Sequence, residues 1–94
     1  RDLIEKAYNR NPSAPHILDS MGWIHFRLGN YEEALDYVLR SHRLMGDDPE
    51  ILDHLGDIYM KLGQVEKAQE AYRRALSLDP SRPGLKSKII GSGN

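Results

Sequence analysis

A histidine and a serine four residues apart, His16 and Ser20, would lie on one face of a helix and suggest a serine hydrolase. Asp19 lies beside them in sequence and could supply the third member of a triad. Serine catalysis also needs a turn that exposes the nucleophile, such as G-x-S-x-G, and donors for the oxyanion. The sequence around Ser20 has no such turn and no identifiable donors, and we therefore predict that the chain is not an enzyme.

The other residues capable of chemistry are similarly isolated. His54 and Asp57 are one helical turn apart and could touch a metal, but structural zinc needs four protein ligands and catalytic zinc three. The chain has no cysteine, and Gly91 and Gly93 lack phosphate-loop spacing and indicate a flexible tail. We expect His25 to be a hydrogen-bonded core residue. The sequence predicts no metal and no cofactor.

Size and charge exclude further classes of function. The chain has 94 residues, which is enough for one domain, and a net charge of -1, which offers no general attraction to nucleic acid. No apolar run approaches the roughly 18 residues of a membrane helix, so we predict no membrane insertion. The chain begins at Arg1 and carries no targeting segment, which indicates a piece of a longer protein and assigns no compartment.

A repeat of 34 residues organises the chain. The offset aligns Pro15 with Pro49, Leu18 with Leu52, Gly22 with Gly56, Leu28 with Leu62, Gly29 with Gly63, Ala34 with Ala68 and Leu44 with Leu78. No insertion separates the two copies. The predicted organisation of this single domain is the end of a preceding repeat (1–14), two repeats (15–48 and 49–82), and the start of a further helix with a tail (83–94).

Each copy predicts two amphipathic helices. In the second copy Asp48 caps a helix that begins at Pro49 and stops at Gly63, and the first copy predicts the same from about Ser13 to Gly29. The following helices run from Tyr31 to about Met45, with Asn30 as cap, and from Val65 to about Leu78. Their predicted inward residues are Tyr31, Ala34, Leu35, Val38, Ser41 and Leu44, then Val65, Ala68, Ala71, Tyr72, Ala75 and Leu78. No segment alternates with period 2, and the fold class is all-α.

These residues resemble the tetratricopeptide repeat, whose motif is W-x2-L-G-x2-Y, then A-x3-F, then P. The second copy offers Leu52, Leu55, Gly56, Tyr59, Ala68, Tyr72, Ala75 and Pro80, and the first offers Leu18, Met21, Gly22, His25, Ala34, Val38 and Ser41. The first copy departs from the motif at His25, Ser41 and Gly46, which should weaken its helix pair. The stretch from Asp19 to Trp23 is similar to bacterial members, many of them extracytoplasmic.

The resemblance implies an α-solenoid, a right-handed superhelix of antiparallel helix pairs. Its first helices would line a concave groove that binds a peptide or partner protein and is seldom catalytic. The groove residues it implies are His16, Asp19, Ser20, Trp23, Phe26 and Arg27, then Glu50, Asp53, His54, Asp57, Met60 and Lys61. One subfamily grips a ligand carboxylate with Lys and Asn at repeat positions 5 and 9, which this chain replaces with Asp19, Trp23, Asp53 and Asp57.

The composition of that face predicts its ligand. Trp23, Phe26 and Met60 are bulky apolar groups on an otherwise polar face and could act as anchors. Trp23 could equally pack on a flanking helix of a longer array. Four carboxylates against two permanent cations make the groove mildly acidic, which favours a ligand with basic and apolar side chains.

Other functions and assemblies stay open at this point. A self-assembling unit, an engineered repeat scaffold and a regulatory module of a larger enzyme would share this sequence pattern. The short apolar stretch with Leu85, Ile89 and Ile90 is too short to be helical alone. It could fold back near Ala71, Tyr72 and Ala75, or pair two chains as a weak homodimer through the C-terminal face.

Overall fold

The structure, a computed structural model, describes residues 14–90. Nearly all of the predicted preceding repeat (1–14) and the predicted tail lie outside the described residues. Five helices follow one another and the described residues contain no strand, as the all-α prediction required. They are α1 (Pro15–Arg27), α2 (Tyr31–Met45), α3 (Pro49–Lys61), α4 (Val65–Leu78) and the short α5 (Leu85–Lys88). Within residues 14–90, no helix combines the length and apolar character needed to cross a membrane.

Helix α2 begins at Tyr31 and α3 at Pro49, as predicted, but the predicted capping side chain is confirmed only for α3. Asp48 Oδ1 accepts hydrogen bonds from the backbone N–H groups of Glu50 (3.0 Å) and Ile51 (3.2 Å), which satisfies two donors at the start of α3. Asn30, the predicted cap of α2, makes no such side-chain bond. Its amide nitrogen lies 3.3 Å from His25 Nδ1, so the side chain contacts the last turn of α1 instead.

Two glycines end the first helix of each pair, as the sequence predicts. Gly29 and Gly63 have φ of 83° and 78°, in the left-handed region that favours glycine over residues with a Cβ. The chain can then reverse within three residues and begin α2 or α4. The two pairs thus share one connection geometry, in keeping with the repeat.

The chain divides into two compact units, with the boundary after Gly46. In the first unit, α1 packs on α2. An added Cβ at Gly22 would collide with the side chain of Val38 and lie 3.2 Å from the carbonyl oxygen of Ala34. Ser41, which stands where the family motif has alanine, is fully buried, and its hydroxyl donates to the Pro15 carbonyl at 2.7 Å. This hydrogen bond satisfies the buried hydroxyl, which would destabilise the fold if it had no partner.

In the second unit, α3 packs on α4 and α5 packs on α4. Its buried apolar residues are Ile51, Leu52, Leu55, Ile58, Ala68, Ala71, Tyr72, Ala75, Leu85 and Ile89. The atoms nearest to the position of a Cβ at Gly56 belong to the ring of Tyr72, so α3 and α4 approach closely there. The inward positions predicted at the helix ends were wrong for Leu44, Val65 and Leu78, which are 56%, 41% and 47% exposed.

Candidate functional site

The first unit carries an aromatic cluster formed by two residues of α1 and the first residue of α2. The rings of Trp23 and Phe26 stack with centroids 4.6 Å apart and 12° between planes, and Tyr31 meets Phe26 edge-on at 5.6 Å. All three side chains are half-buried. Stacked and edge-on pairs of this kind fix ring positions, so the cluster is a shaped apolar surface rather than loose side chains.

The remaining predicted residues of α1 differ in their exposure. His16 and Arg27 are exposed, whereas Asp19 and Ser20 are half-buried. His25 is half-buried and stacks on Tyr37 with ring centroids 5.3 Å apart. The contact with Asn30 supplies the predicted hydrogen-bond partner, but the side chain is half-buried and not in the core as predicted.

Helix α3 carries the second predicted set. Glu50, Met60 and Lys61 are exposed and His54 is half-buried. Asp53 differs from expectation, because it lies on the polar side of the predicted helix yet retains only 5% of its accessible surface. A buried carboxylate needs compensating partners, and these come from residues 81–90.

An ion-pair network holds Asp53 and Asp57. The Oδ2 atom of Asp53 accepts from Arg82 Nε at 2.8 Å, and its Oδ1 accepts from Lys88 Nζ at 2.9 Å. The same ammonium lies 3.1 Å from Asp57 Oδ1 and 5.6 Å from the ring centroid of Tyr72. The Tyr72 hydroxyl donates to Asp57 Oδ1 at 2.7 Å. Two of the four predicted carboxylates are therefore engaged inside the second unit.

The protonation of these groups follows from their contacts. Burial raises the pKa of the Asp53 carboxyl, but hydrogen bonds from Arg82 and Lys88 outweigh it and hold that pKa below its ordinary value. Burial lowers the pKa of Lys88, yet its bonds to the two carboxylates leave it raised overall. Burial and the hydrogen bond to Asp57 raise the pKa of the Tyr72 phenol. At neutral pH Asp53, Arg82 and Lys88 are therefore charged and Tyr72 remains a donor.

Gln69 belongs to this site and was missed by the sequence reasoning. It is buried, its Nε2 donates to the Lys88 carbonyl at 2.9 Å, and its Oε1 accepts from the Ile90 N–H at 2.7 Å. The 34-residue offset places Gln69 on Leu35, a predicted inward position. A polar residue aligned with an inward apolar one was the signal available in the sequence.

The network bears on two earlier expectations. Both oxygens of Asp57 have protein partners, so the arrangement does not offer the His54 and Asp57 pair as open metal ligands. Leu85 and Ile89 are 0% and 6% exposed, which confirms that the stretch folds back on α4. Ile90 stays 67% exposed, and self-association through this face remains a prediction.

Comparison with known proteins agrees with the repeated pairs of helices described above. Residues 49–82 and residues 16–48 each match a family model described as the tetratricopeptide repeat. A TPR repeat-containing protein of Pseudomonas aeruginosa is 49% identical over 41 residues, which is 44% of this chain and 7% of that protein. The match thus spans a small part of the relative. With two matched repeats that take in most of its residues, the chain belongs to the tetratricopeptide repeat family.

Proposed function

We propose that the chain is a non-catalytic protein-interaction module whose partner contributes basic and apolar side chains. Tetratricopeptide repeats are generally protein-interaction modules and typically non-catalytic. The observation that carries the finer proposal is the aromatic cluster of α1, in which Trp23 stacks on Phe26 beside Tyr31. Pre-positioned aromatic side chains lose little conformational entropy on binding, which is why they often dominate interface energies.

The charge preference has separate support in the second unit. Asp53 and Asp57 already hold one guanidinium and one ammonium group, with apolar side chains buried beside them. The groups that contact these two carboxylates within the chain are thus basic, and they are accompanied by apolar side chains. On α3, Met60 is 43% exposed and Glu50 is also exposed, so further apolar and acidic groups are accessible.

The proposal predicts a specific binding result. On an array of peptides of mixed charge, we expect retention of basic peptides with apolar residues, and affinity that falls as salt rises. Trp23→Ala should weaken binding at least tenfold, since truncating a hot-spot aromatic costs about 2 kcal/mol or more. Asp57→Asn should have a smaller effect.

A matched control is available on α2. Leu44 is 56% exposed and lies outside the predicted groove, so Leu44→Ala removes exposed apolar surface elsewhere and should leave the affinity unchanged. A preference for acidic peptides, or equal losses from Trp23→Ala and Leu44→Ala, would contradict the proposal. Circular dichroism of each variant separates lost binding from lost folding.

We also expect no turnover in a broad hydrolase screen. His16 is exposed while Ser20 is half-buried, and both lie within one regular helix rather than at a turn that presents a nucleophile. The screen should compare the wild type with Ser20→Ala and His16→Ala at equal concentration. Activity that these substitutions abolish would overturn the non-catalytic assignment.

A further inference from the structure

The second unit holds the chain segment 82–90 in the manner of a bound peptide. Four residues of α3 and α4 make hydrogen bonds, ion pairs or a cation–ring contact with this segment, and we name them together the acceptor site: Asp53, Asp57, Gln69 and Tyr72. Gln69 contacts backbone groups, whereas the other three contact side chains. The two kinds of contact require different things of the occupant.

The backbone contact requires an occupant that is extended at the position of Ile89, directly after the short helix α5. The two hydrogen bonds of Gln69 reach the carbonyl of Lys88 and the N–H of Ile90, on either side of Ile89. Ile89 has φ of -96° and ψ of 123°, an extended conformation. A continuing helix would use these backbone groups for its own bonds. The end of the segment around Ile89 is therefore held as extended peptides are held, by a side-chain amide that pairs with the main chain.

The side-chain contacts set the chemistry of the occupant. The ammonium of Lys88 lies between two carboxylates and over the Tyr72 ring, a combination of charge and aromatic face that suits a lysine. Arg82 adds a second contact to Asp53. Leu85 is fully buried and Ile89 nearly so. The occupant thus contributes arginine, leucine, lysine and isoleucine at relative positions fixed by the segment.

The segment has little structure of its own to keep it in place. Helix α5 has four residues, far fewer than the roughly 12 that an isolated helix needs. Its order therefore depends on docking, and docking competes with solvation of the two cations. A tethered segment of this length presents itself at an effective concentration of about millimolar, which a tighter partner can overcome.

We propose that the acceptor site is a peptide-binding site that the chain's own segment 82–90 occupies as a built-in competitor. The partner that displaces it is a protein segment with arginine, leucine, lysine and isoleucine at the spacing of Arg82, Leu85, Lys88 and Ile89. The inference deepens the proposed interaction function and rests on it. It adds a second contact surface besides the aromatic cluster of α1. It also sets a minimum affinity, because a partner must bind the acceptor site more tightly than the tethered segment does.

The test uses the full chain and a labelled synthetic peptide with the sequence of residues 81–90. In the double variant Arg82→Ala with Lys88→Ala, the segment loses both cations while the acceptor site is intact. Fluorescence anisotropy should show that this variant binds the peptide at least tenfold more tightly than the wild type. Adding Asp53→Asn to the double variant should reverse the gain.

Two controls isolate the effect. Arg43→Ala with Arg73→Ala removes the same charge from exposed positions outside the segment and should leave peptide affinity at the wild-type level. A peptide with glutamate at the position of Lys88 should bind the double variant at least tenfold more weakly. Equal binding by wild type and double variant, or equal binding of both peptides, would overturn the proposal.

A second measurement needs no variant and covers the case in which the double variant fails to fold. The Ile90 amide is protected by its bond to Gln69, so excess unlabelled peptide should accelerate its hydrogen exchange in the wild type several-fold. Unchanged exchange at saturating peptide would contradict displacement. If the peptide binds the acceptor site but no ligand is lost on Trp23→Ala, the acceptor site is supported and the α1 proposal is contradicted. If a ligand is lost on Trp23→Ala but the peptide does not bind, the α1 proposal is supported and the acceptor site is contradicted.

Discussion

Gly56→Ala is expected to destabilise the second unit by about 1–2 kcal/mol. An added Cβ would lie 2.8 Å from Cζ of Tyr72 and nearer still to two other atoms of that ring. The ring cannot move aside freely, because its hydroxyl is bonded to Asp57. Overpacking costs about 1–3 kcal/mol, and a collision with three atoms of a held ring belongs to the upper part of that range, about 2–3 kcal/mol. The gain in helix propensity from glycine to alanine, about 1 kcal/mol, offsets part of this cost. Urea denaturation followed by circular dichroism measures the difference.

A double-mutant cycle shows whether the ring is the cause. In a Tyr72→Leu background the colliding ring atoms are gone, so Gly56→Ala should become neutral or stabilising by up to about 1 kcal/mol. The same loss in both backgrounds would show that the contact with Tyr72 is not responsible. Wild-type stability for Gly56→Ala alone would contradict the close approach of α3 and α4 at this point.

The second large effect is expected from Asp53→Asn, which keeps the shape of the side chain and removes its charge. Breaking a fully buried ion pair costs about 3–5 kcal/mol, but Arg82 and Lys88 are 27% and 34% exposed and can be partly rehydrated. We therefore expect a loss of about 1–3 kcal/mol in urea denaturation. Asp36→Asn is the matched control, since its pair with Arg40 is solvent-exposed and should contribute about 0.3–0.5 kcal/mol.

The same carboxylate should make the free energy of unfolding fall at acid pH. The pKa of Asp53 is lower in the folded chain than in the unfolded chain, where it is about 3.9. Its contribution is therefore complete above about pH 4 and is lost as pH falls through the folded-state value. In denaturation series from pH 6 to pH 2, Asp53→Asn should show a smaller acid-dependent loss than the wild type. Equal slopes would mean that the pairs with Arg82 and Lys88 do not stabilise the fold.

Local signals were enough to predict the helices. Asp48 before Pro49 marks a helix start through a hydrogen bond made within three residues, and Gly63 marks an end through its own backbone freedom. Leu44 and Leu78 were placed inward because they fit the helical period, but the last turn of a helix extends past the surface it packs on. Periodicity predicts the side of a helix on which a side chain lies, but not whether the neighbouring helix is long enough to cover it.

The acceptor site was beyond local reasoning for a different reason. Asp53 lies on the polar arc of α3, and its burial depends on Arg82 and Lys88, which are 29 and 35 residues away. Spacing within one helix carries no information about such partners. Only comparison of the two copies, which sets Gln69 against Leu35, gave a hint that the second copy packs a polar group where the first packs an apolar one.

The position of the single tryptophan makes the first unit observable on its own. Trp23 is the sole tryptophan of the chain and belongs to the first unit, whereas Tyr59 and Tyr72 belong to the second. Excitation at wavelengths that only indole absorbs reports the first unit by fluorescence. The second unit contains no tryptophan and contributes no indole emission. Tryptophan fluorescence can therefore follow the unfolding of the first unit without an added label.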